Sequence, residues 1–408
     1  MKRPELLAPA GNFEKMRAAI RYGADAVYLS GKIFGMRAAA DNFSIDELRA
    51  ATEYAHERSV KVYLTVNTMP RENEYPELRE YFQKIKGIGL DALIVADIGV
   101  LALAREMLPE TELHISTQAN SVSSAACLAW HALGAKRVVL ARELTLDEIK
   151  EIRRNIPEQI ELECFIHGSM CISYSGRCLL SGHIVGRDAN RGACAQPCRW
   201  GYKLRGEIVE EKRPDTVIPI EETDGETFIM ASRDTCTIEH IPELIEAGIS
   251  SFKIEGRMKS AYYTAVVTNT YKMAIDAYFS GSYEYNPLWL RELESVSHRE
   301  YASGYYYANS HTDANLAPTN GYIKDKSYLA VVLSYNSETG EALLSQRNKM
   351  KLGDRAQLVT PGRVGEEILI TELFDEERNP IEATAHPYMR FYMKMPHPVR
   401  EGDIIRAL

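Results

Sequence analysis

Residues 160–181 read IELECFIHGSMCISYSGRCLLS. The apolar stretch LECFI runs directly into Gly168, and Cys171 and Cys178 follow at once. A buried strand that delivers side chains to a loop at its C-terminal end produces this pattern. Further thiols continue the run: Cys194 and Cys198 in GACAQPC, then Cys236 in MASRDTCTI.

Outward from this segment, short apolar runs recur along the chain. They are ELLA (5–8), ADAVYL (24–29), KVYLTVNT (61–68), DALIVADIG (91–99), LHISTQAN (113–120), AKRVVLAREL (135–144), IELECFI (160–166) and SFKIEG (251–256). Amphipathic stretches of helical period separate them, with Ser44 or Asn42 and Thr145 placed as N-caps. Gly23, Gly89, Gly134 and Gly248 each stand just before an apolar run, as helix C-caps do. Eight strand–helix repeats predict an α/β protein, a (β/α)8 TIM-type barrel with a long connection over 167–250 between strands seven and eight. A doubly wound sheet is the alternative, but it calls for a glycine-rich phosphate loop after the first strand, where PAGN stands. The barrel is expected over 1–308, a Pro/Asn-rich linker over 309–320, and a small C-terminal β-barrel over 321–408. In the last, period-two alternation flanks a turn at Glu338–Gly340, and KLGD and REGD read as tight corners. The acidic segment 206–226 reads as a solvated hairpin.

The chain has 7 cysteines in 408 residues, too few for a disulfide-stapled secreted protein. MKRPELLAPAG has no apolar core of a signal peptide, and no apolar run reaches the roughly twenty residues of a membrane span. A cytoplasmic, reducing location is therefore expected, where a concentration of thiols points to metal ligation. Zinc favours close C-x(2–4)-C knuckles, of which Cys194/Cys198 is the single instance, whereas widely spaced thiolates suit a [4Fe–4S] cluster better. Cys127 and Cys164 sit in apolar stretches and read as small core residues. Arg177, Arg187, Arg191 and Arg199 surround the other thiols and would offset thiolate charge. The net charge of −9 argues against non-specific binding of nucleic acid over the whole surface and leaves room for a local basic patch.

The order E-x-F-x-x-G-S-M-C-x-x-x-x-G-x-C-x-L-S over Glu163–Ser181 resembles the signature of the collagenase-like peptidase family, a peptidase family of unknown catalytic type. Within it the likeness is closest to the tRNA 5-hydroxyuridine hydroxylation proteins. It extends to ELLAPAG at the start, HISTQAN (114–120), Cys236 and FKIEGRMKS (252–260), and so covers at least the first 305 residues. The resemblance implies a cluster held by Cys171, Cys178, Cys194 and Cys236, with Cys198 as a spare or alternative third ligand. It also implies O2-independent hydroxylation of the tRNA wobble uridine, with prephenate as oxygen source. The tRNA anticodon region and a small carboxylate are the expected partners, and assembly with itself or a companion chain is open.

Polar residues just past the strand ends are expected to share one mouth. His114, Gln118, Glu143, His167 and Glu255 are the catalytic candidates, beside Asn67, Asp97 and Ser116. Arg257 and Lys259 beyond the eighth strand are placed to hold a carboxylate, with Arg37 and Arg142 as weaker candidates. Arg177, Arg187, Arg191 and Arg199 complete the substrate-binding set, with Trp200 or Tyr174 to stack on an unstacked base. Three rivals stand. One is a peptidase, for which Cys171/His167 is the sequence-local pair, since neither H-E-x-x-H nor G-x-S-x-G occurs. The others are hydroxylation of a ubiquinone precursor in a heteromer, and a partner using its cluster structurally.

Overall fold

The computed structural model describes residues 2–36, 41–171, 173–200, 209–210, 213–217, 221–223, 226–228, 232–281, 283–307, 323 and 325–408. By their contacts they fall into two compact units, Met1–Asn12 with Asp25–Met258 and His298–Ile323, and Phe13–Ala24 with Lys259–Ser297 and Lys324–Leu408. The linker expected at 309–320 and Arg37 lie outside the described residues, whereas the described part of 206–228 forms two antiparallel strand pairs, Val209–Glu210 with Arg213–Val217 and Glu221–Thr223 with Glu226–Phe228, in keeping with the hairpin expected there.

The first unit is built on a closed barrel of eight parallel strands. They are β1 (Glu5–Pro9), β2 (Ala26–Ser30), β3 (Lys61–Val66), β4 (Ala92–Val95), β5 (Glu112–Ile115), β6 (Arg137–Val139), β7 (Glu161–Ser169) and β9 (Ser251–Ile254). Each pairs with the next, and β9 closes the ring against both β1 and β7. The helices Ile45–His56 and Leu146–Arg154 begin at capping boxes, Ser44 with Glu47 and Thr145 with Glu148, so each satisfies its first amides locally. Their buried faces, Leu48/Ala51/Ala55 and Leu146/Ile149/Ile152, recur at helical spacing.

One feature departs from the repeat. A short strand, β8 (Asp234–Cys236), adds antiparallel to the end of β7, and β10 (Tyr301–Ala302) adds parallel to β8. β7 has nine residues because its two halves serve different neighbours: Glu163–His167 pair with β9, and His167–Ser169 pair with β8. The chain that carries Cys236 is thus tied back to the strand that leads to Cys171.

In the second unit, β11 (Tyr328–Asn336), β12 (Glu341–Gln346), β13 (Arg355–Val359), β14 (Glu366–Leu369), β15 (Leu373–Phe374), β16 (Arg390–Lys394) and β17 (Ile404–Ala407) form an antiparallel sheet in the order β14-β13-β17-β11-β12-β16-β15. All seven contribute to one apolar core, which includes Val332, Leu344, Leu358, Ile368, Leu373, Phe391 and Ile405. The three corners expected from sequence are held by local acceptors. Asn336 Oδ1 takes the Glu338 amide (2.9 Å), Asp354 takes Lys351 N (3.0 Å) and Asp403 takes Arg400 N (2.7 Å). In the same unit, buried Arg406 donates to Glu292 (2.6 Å) and Ser295 (2.7 Å). Among the described residues no helix is long and apolar enough to cross a membrane.

Candidate active site at the barrel mouth

Alternation along the barrel strands aims every second side chain inward. Such interiors are usually filled by branched apolar residues, yet here much of the filling is ionic. Arg137 of β6 donates to Glu5 (2.7 Å), Glu161 (2.7 Å) and Glu163 (3.1 Å). Glu163, fully buried, also accepts from Lys253 Nζ (2.6 Å), which lies 4.6 Å from the centre of the Tyr28 ring. Burial alone would raise the Glu163 carboxyl, but Lys253 and Arg137 outweigh it and hold the group at about 2.

Lys253 is the top of this network and part of the floor of a pocket at the C-terminal ends of the strands. The pocket holds about 440 Å³ counted out to its open mouth. Its polar lining includes Tyr28, Thr65, Asn67, Ser116, Gln118, Arg142, Lys253, Glu255 and Arg257, against apolar Met36, Ile94, Val139 and Phe165. Arg142 is its organiser: its guanidinium stacks on Phe165 (3.9 Å), Nη1 donates to Ser169 O (2.9 Å), and Nη2 lies 3.8 Å from Glu255 Oε2. Tyr28 donates to Ile254 O (2.9 Å) and reaches Glu255 Oε2 (3.4 Å), and buried Arg257 reaches Thr65 Oγ1 (3.4 Å). Cations, amides and one carboxylate around an apolar wall suit a small anionic molecule, with Glu255 able to exchange a proton.

The cysteine-bearing connection lies over this mouth and is fastened to it at both ends. Ser175 N donates to Glu143 Oε1 (2.9 Å), and Gly176 packs so tightly on Gln118 that a Cβ would stand 2.2 Å from its carbonyl oxygen. On the far side Arg191 grips Glu74 with both terminal nitrogens (2.8 and 2.6 Å) and donates to Met69 O (3.1 Å). An ion pair this exposed contributes at most about 1 kcal/mol, so its main effect is placement.

These contacts sort the residues expected from sequence. Gln118, Glu255 and Arg257 line the pocket, as does Arg142. Glu143 sits beside it and anchors the loop. His114 departs from expectation: it is fully buried, edge-on to Tyr63 (4.8 Å) and 3.3 Å from Glu112. Alternation puts it one inward position below Ser116, and burial pushes its imidazole below the ordinary range, so it stays neutral. His167 is also away from the pocket lining, buried 5.3 Å from the Tyr301 ring. The pairing of β7 with β9 slips by one residue between Lys253 and Ile254, and such a bulge re-aims the side chains around it. Arg191 is committed to Glu74, whereas Arg177 and Arg187 are exposed. For Arg199 only the backbone is described. Lys259 belongs by its contacts to the other unit, where Nζ donates to Ser297 O (2.9 Å). Asp97 and Ser116 act as caps, on Gly99/Val100 and Gln118.

Sequence reading missed Lys253, Tyr28 and the ionic interior. The available signal was a charged residue at every second place in strands too apolar to be exposed, Glu161/Glu163 in IELECFI and Lys253 in SFKI.

None of the seven cysteines is in a disulfide. Burial raises Cys127 to about 11 and pushes Cys164 up as well, so both stay protonated core groups. Cys171, Cys178, Cys194 and Cys236 are exposed or partly exposed, and the Gln196 amide donates to Cys194 Sγ (3.3 Å). Among the described residues no three His, Cys, Asp or Glu side chains are gathered as a metal site. The four thiols fit an iron–sulfur group by donor chemistry and by their place on one connection.

Gly168, in the last part of β7 before Cys171, has φ of 111°, and a Cβ there would stand 2.4 Å from Glu255 O. Gly168→Ala is expected to cost about 2 kcal/mol or more, from positive φ and backbone overlap together. Urea denaturation of the purified variant checks this, and a cost under about 0.5 kcal/mol would mean that the end of β7 relaxes freely.

Comparison with known proteins covers nearly the whole chain. The model of "Peptidase family U32" matches residues 11–316, and that of "Peptidase family U32 C-terminal domain" matches 324–406. The chain is 36% identical over 407 residues to tRNA hydroxylation protein P1 of Bacillus subtilis, covering 99% of this chain and 95% of the relative. It is 36% identical to tRNA hydroxylation protein P of Escherichia coli, with 88% and 87% covered. It is 33% identical to a collagenase of Porphyromonas gingivalis, with 88% and 86% covered.

Proposed function

The chain belongs to peptidase family U32, and we propose that it is an enzyme of tRNA hydroxylation, forming 5-hydroxyuridine at the wobble position without O2. The observation that carries this reading is the match, through both units, to a relative named for tRNA hydroxylation over 95% of that relative's length. A [4Fe–4S] cluster would be held by Cys171, Cys178, Cys194 and Cys236, and when bound would supply electron-transfer chemistry beside the pocket. Prephenate is the proposed co-substrate and oxygen source. Arg142 and Arg257 offer charge-assisted hydrogen bonds to its carboxylates, Asn67 and Gln118 orient it, and Glu255 holds or gives a proton. The wobble base already lies in a loop, so bringing it to the mouth costs less than opening a duplex. Exposed Arg177, Arg187 and Tyr174 beside the mouth are available to the anticodon backbone and base.

The geometry speaks less for proteolysis. A Cys–His pair needs both groups within hydrogen-bond reach of one substrate, and His167 is buried against Tyr301 while Cys171 is exposed. The test is deletion of the gene followed by mass spectrometry of total tRNA nucleosides. 5-Hydroxyuridine and its derivatives should disappear, and return with wild type but not with Cys171→Ala. Unchanged modification in a strain without a redundant pathway would move the assignment to hydroxylation of a quinone precursor. Gelatin cleavage that is lost in Cys171→Ala but survives iron removal would restore the peptidase.

A further inference from the structure

We propose that the buried Arg299–Asp234 pair is a positioning device that fixes Cys171 and Cys236, the first and last thiols of the set, relative to one another; the proposal rests on the cluster reading above. Both partners are almost excluded from solvent, at 2% exposure each. Asp234 Oδ1 accepts from Arg299 Nη2 (2.8 Å) and Nε (3.1 Å), and Oδ2 accepts from the Arg299 amide (3.2 Å). The same Nη2 lies 3.5 Å from Met170 O, which also accepts from Ser232 Oγ (2.6 Å).

Met170 immediately precedes Cys171, and Asp234 lies two residues before Cys236 on β8, hence on the same side of that strand. Arg299 arrives on a third segment, whose next residue takes the Asp234 amide (Glu300 O, 2.9 Å) before β10 pairs with β8. One guanidinium therefore joins the chain leaving β7 for Cys171 to the strand that carries Cys236. A planar fork bound on two sides has little freedom to slide, which an ammonium or an apolar contact would allow. A buried pair is often no more stabilising than well-packed apolar residues. Fixed geometry is the property that such a substitute would lack.

The test uses the full chain, reconstituted with iron and sulfide without oxygen. Two variants are compared with wild type: Arg299→Lys, which keeps charge and loses the fork, and the apolar double variant Arg299→Met/Asp234→Leu, which keeps bulk. Iron per chain, the electron paramagnetic resonance spectrum of the reduced protein, circular dichroism and amide exchange over 167–171 and 232–236 are read on each. Folded variants should lose more than half their iron or show a shifted spectrum, and exchange should rise about tenfold in both segments together. Wild-type iron, spectrum and exchange in either folded variant would overturn the proposal. Loss of fold in both variants would overturn it too, since the pair would then be a requirement of folding. If wild type itself takes up no iron, the cluster reading fails by itself, and exchange in the two segments still decides whether the pair couples them.

Discussion

Protein purified without oxygen is expected to be brown and to carry about four irons per chain. Cys171→Ala, Cys178→Ala, Cys194→Ala and Cys236→Ala are each expected to bring this close to zero. The thiols lie on one long connection fastened to the mouth by Ser175, Gly176 and Arg191, so their chain is held over the pocket. Removing one ligand of four leaves a cluster with an open iron, which is readily lost. Cys198→Ala should retain most of the iron. Cys127→Ala and Cys164→Ala should retain all of it and melt a few degrees lower, because burial holds those two thiols protonated. Iron and acid-labile sulfide analysis reads all seven variants. Iron lost in Cys198→Ala and kept in Cys194→Ala would exchange these two assignments, and stoichiometric zinc without iron in wild type would end the cluster proposal.

Glu163→Ala is expected to destabilise the first unit by about 3–5 kcal/mol, the cost of leaving buried charges without their partner. Both Lys253 and Arg137 lose a carboxylate, at 2.6 and 3.1 Å, in a space sealed from water. Against a typical total stability of about 5–15 kcal/mol, this is enough to lower soluble yield. The direction with pH follows from the carboxyl being held at about 2 in the folded protein, below its unfolded value of about 4.3. Its contribution is therefore present in full above the unfolded value and is lost as pH falls from there toward 2. Urea titrations at pH 7 and at steps down through this window should show wild type losing stability with acid more steeply than Glu163→Ala. Parallel acid limbs in the two proteins would mean that Glu163 is not the group responsible.

How much of this was legible before folding depends on whether the deciding physics is local. The strand–helix repeat, the capping boxes at Ser44 and Thr145, and the turns at Asn336, Asp354 and Asp403 arise from residues a few positions apart, so pattern and propensity sufficed. The thiols as a chemical set, and the exclusion of Cys127 and Cys164 from it, were also legible, because apolar context alone marks a buried thiol. Which polar residues share the mouth was not. In sequence His114 and His167 stand near the ends of apolar runs much as Gln118 and Glu255 do, but the structure puts both histidines within their strands. Alternation inside a closed barrel puts His114 one inward position too deep, and a one-residue slip opposite Lys253–Ile254 accompanies His167's place against Tyr301. Glu5, Arg137, Glu163 and Lys253 stand in four different strands, and only closure of the ring brings their charges within hydrogen-bonding distance. The sequence by itself determined the repeat, the turns and the donor chemistry. The tertiary structure decided which side chains meet, because partners far apart along the chain are chosen by register and barrel closure, and no local spacing encodes either.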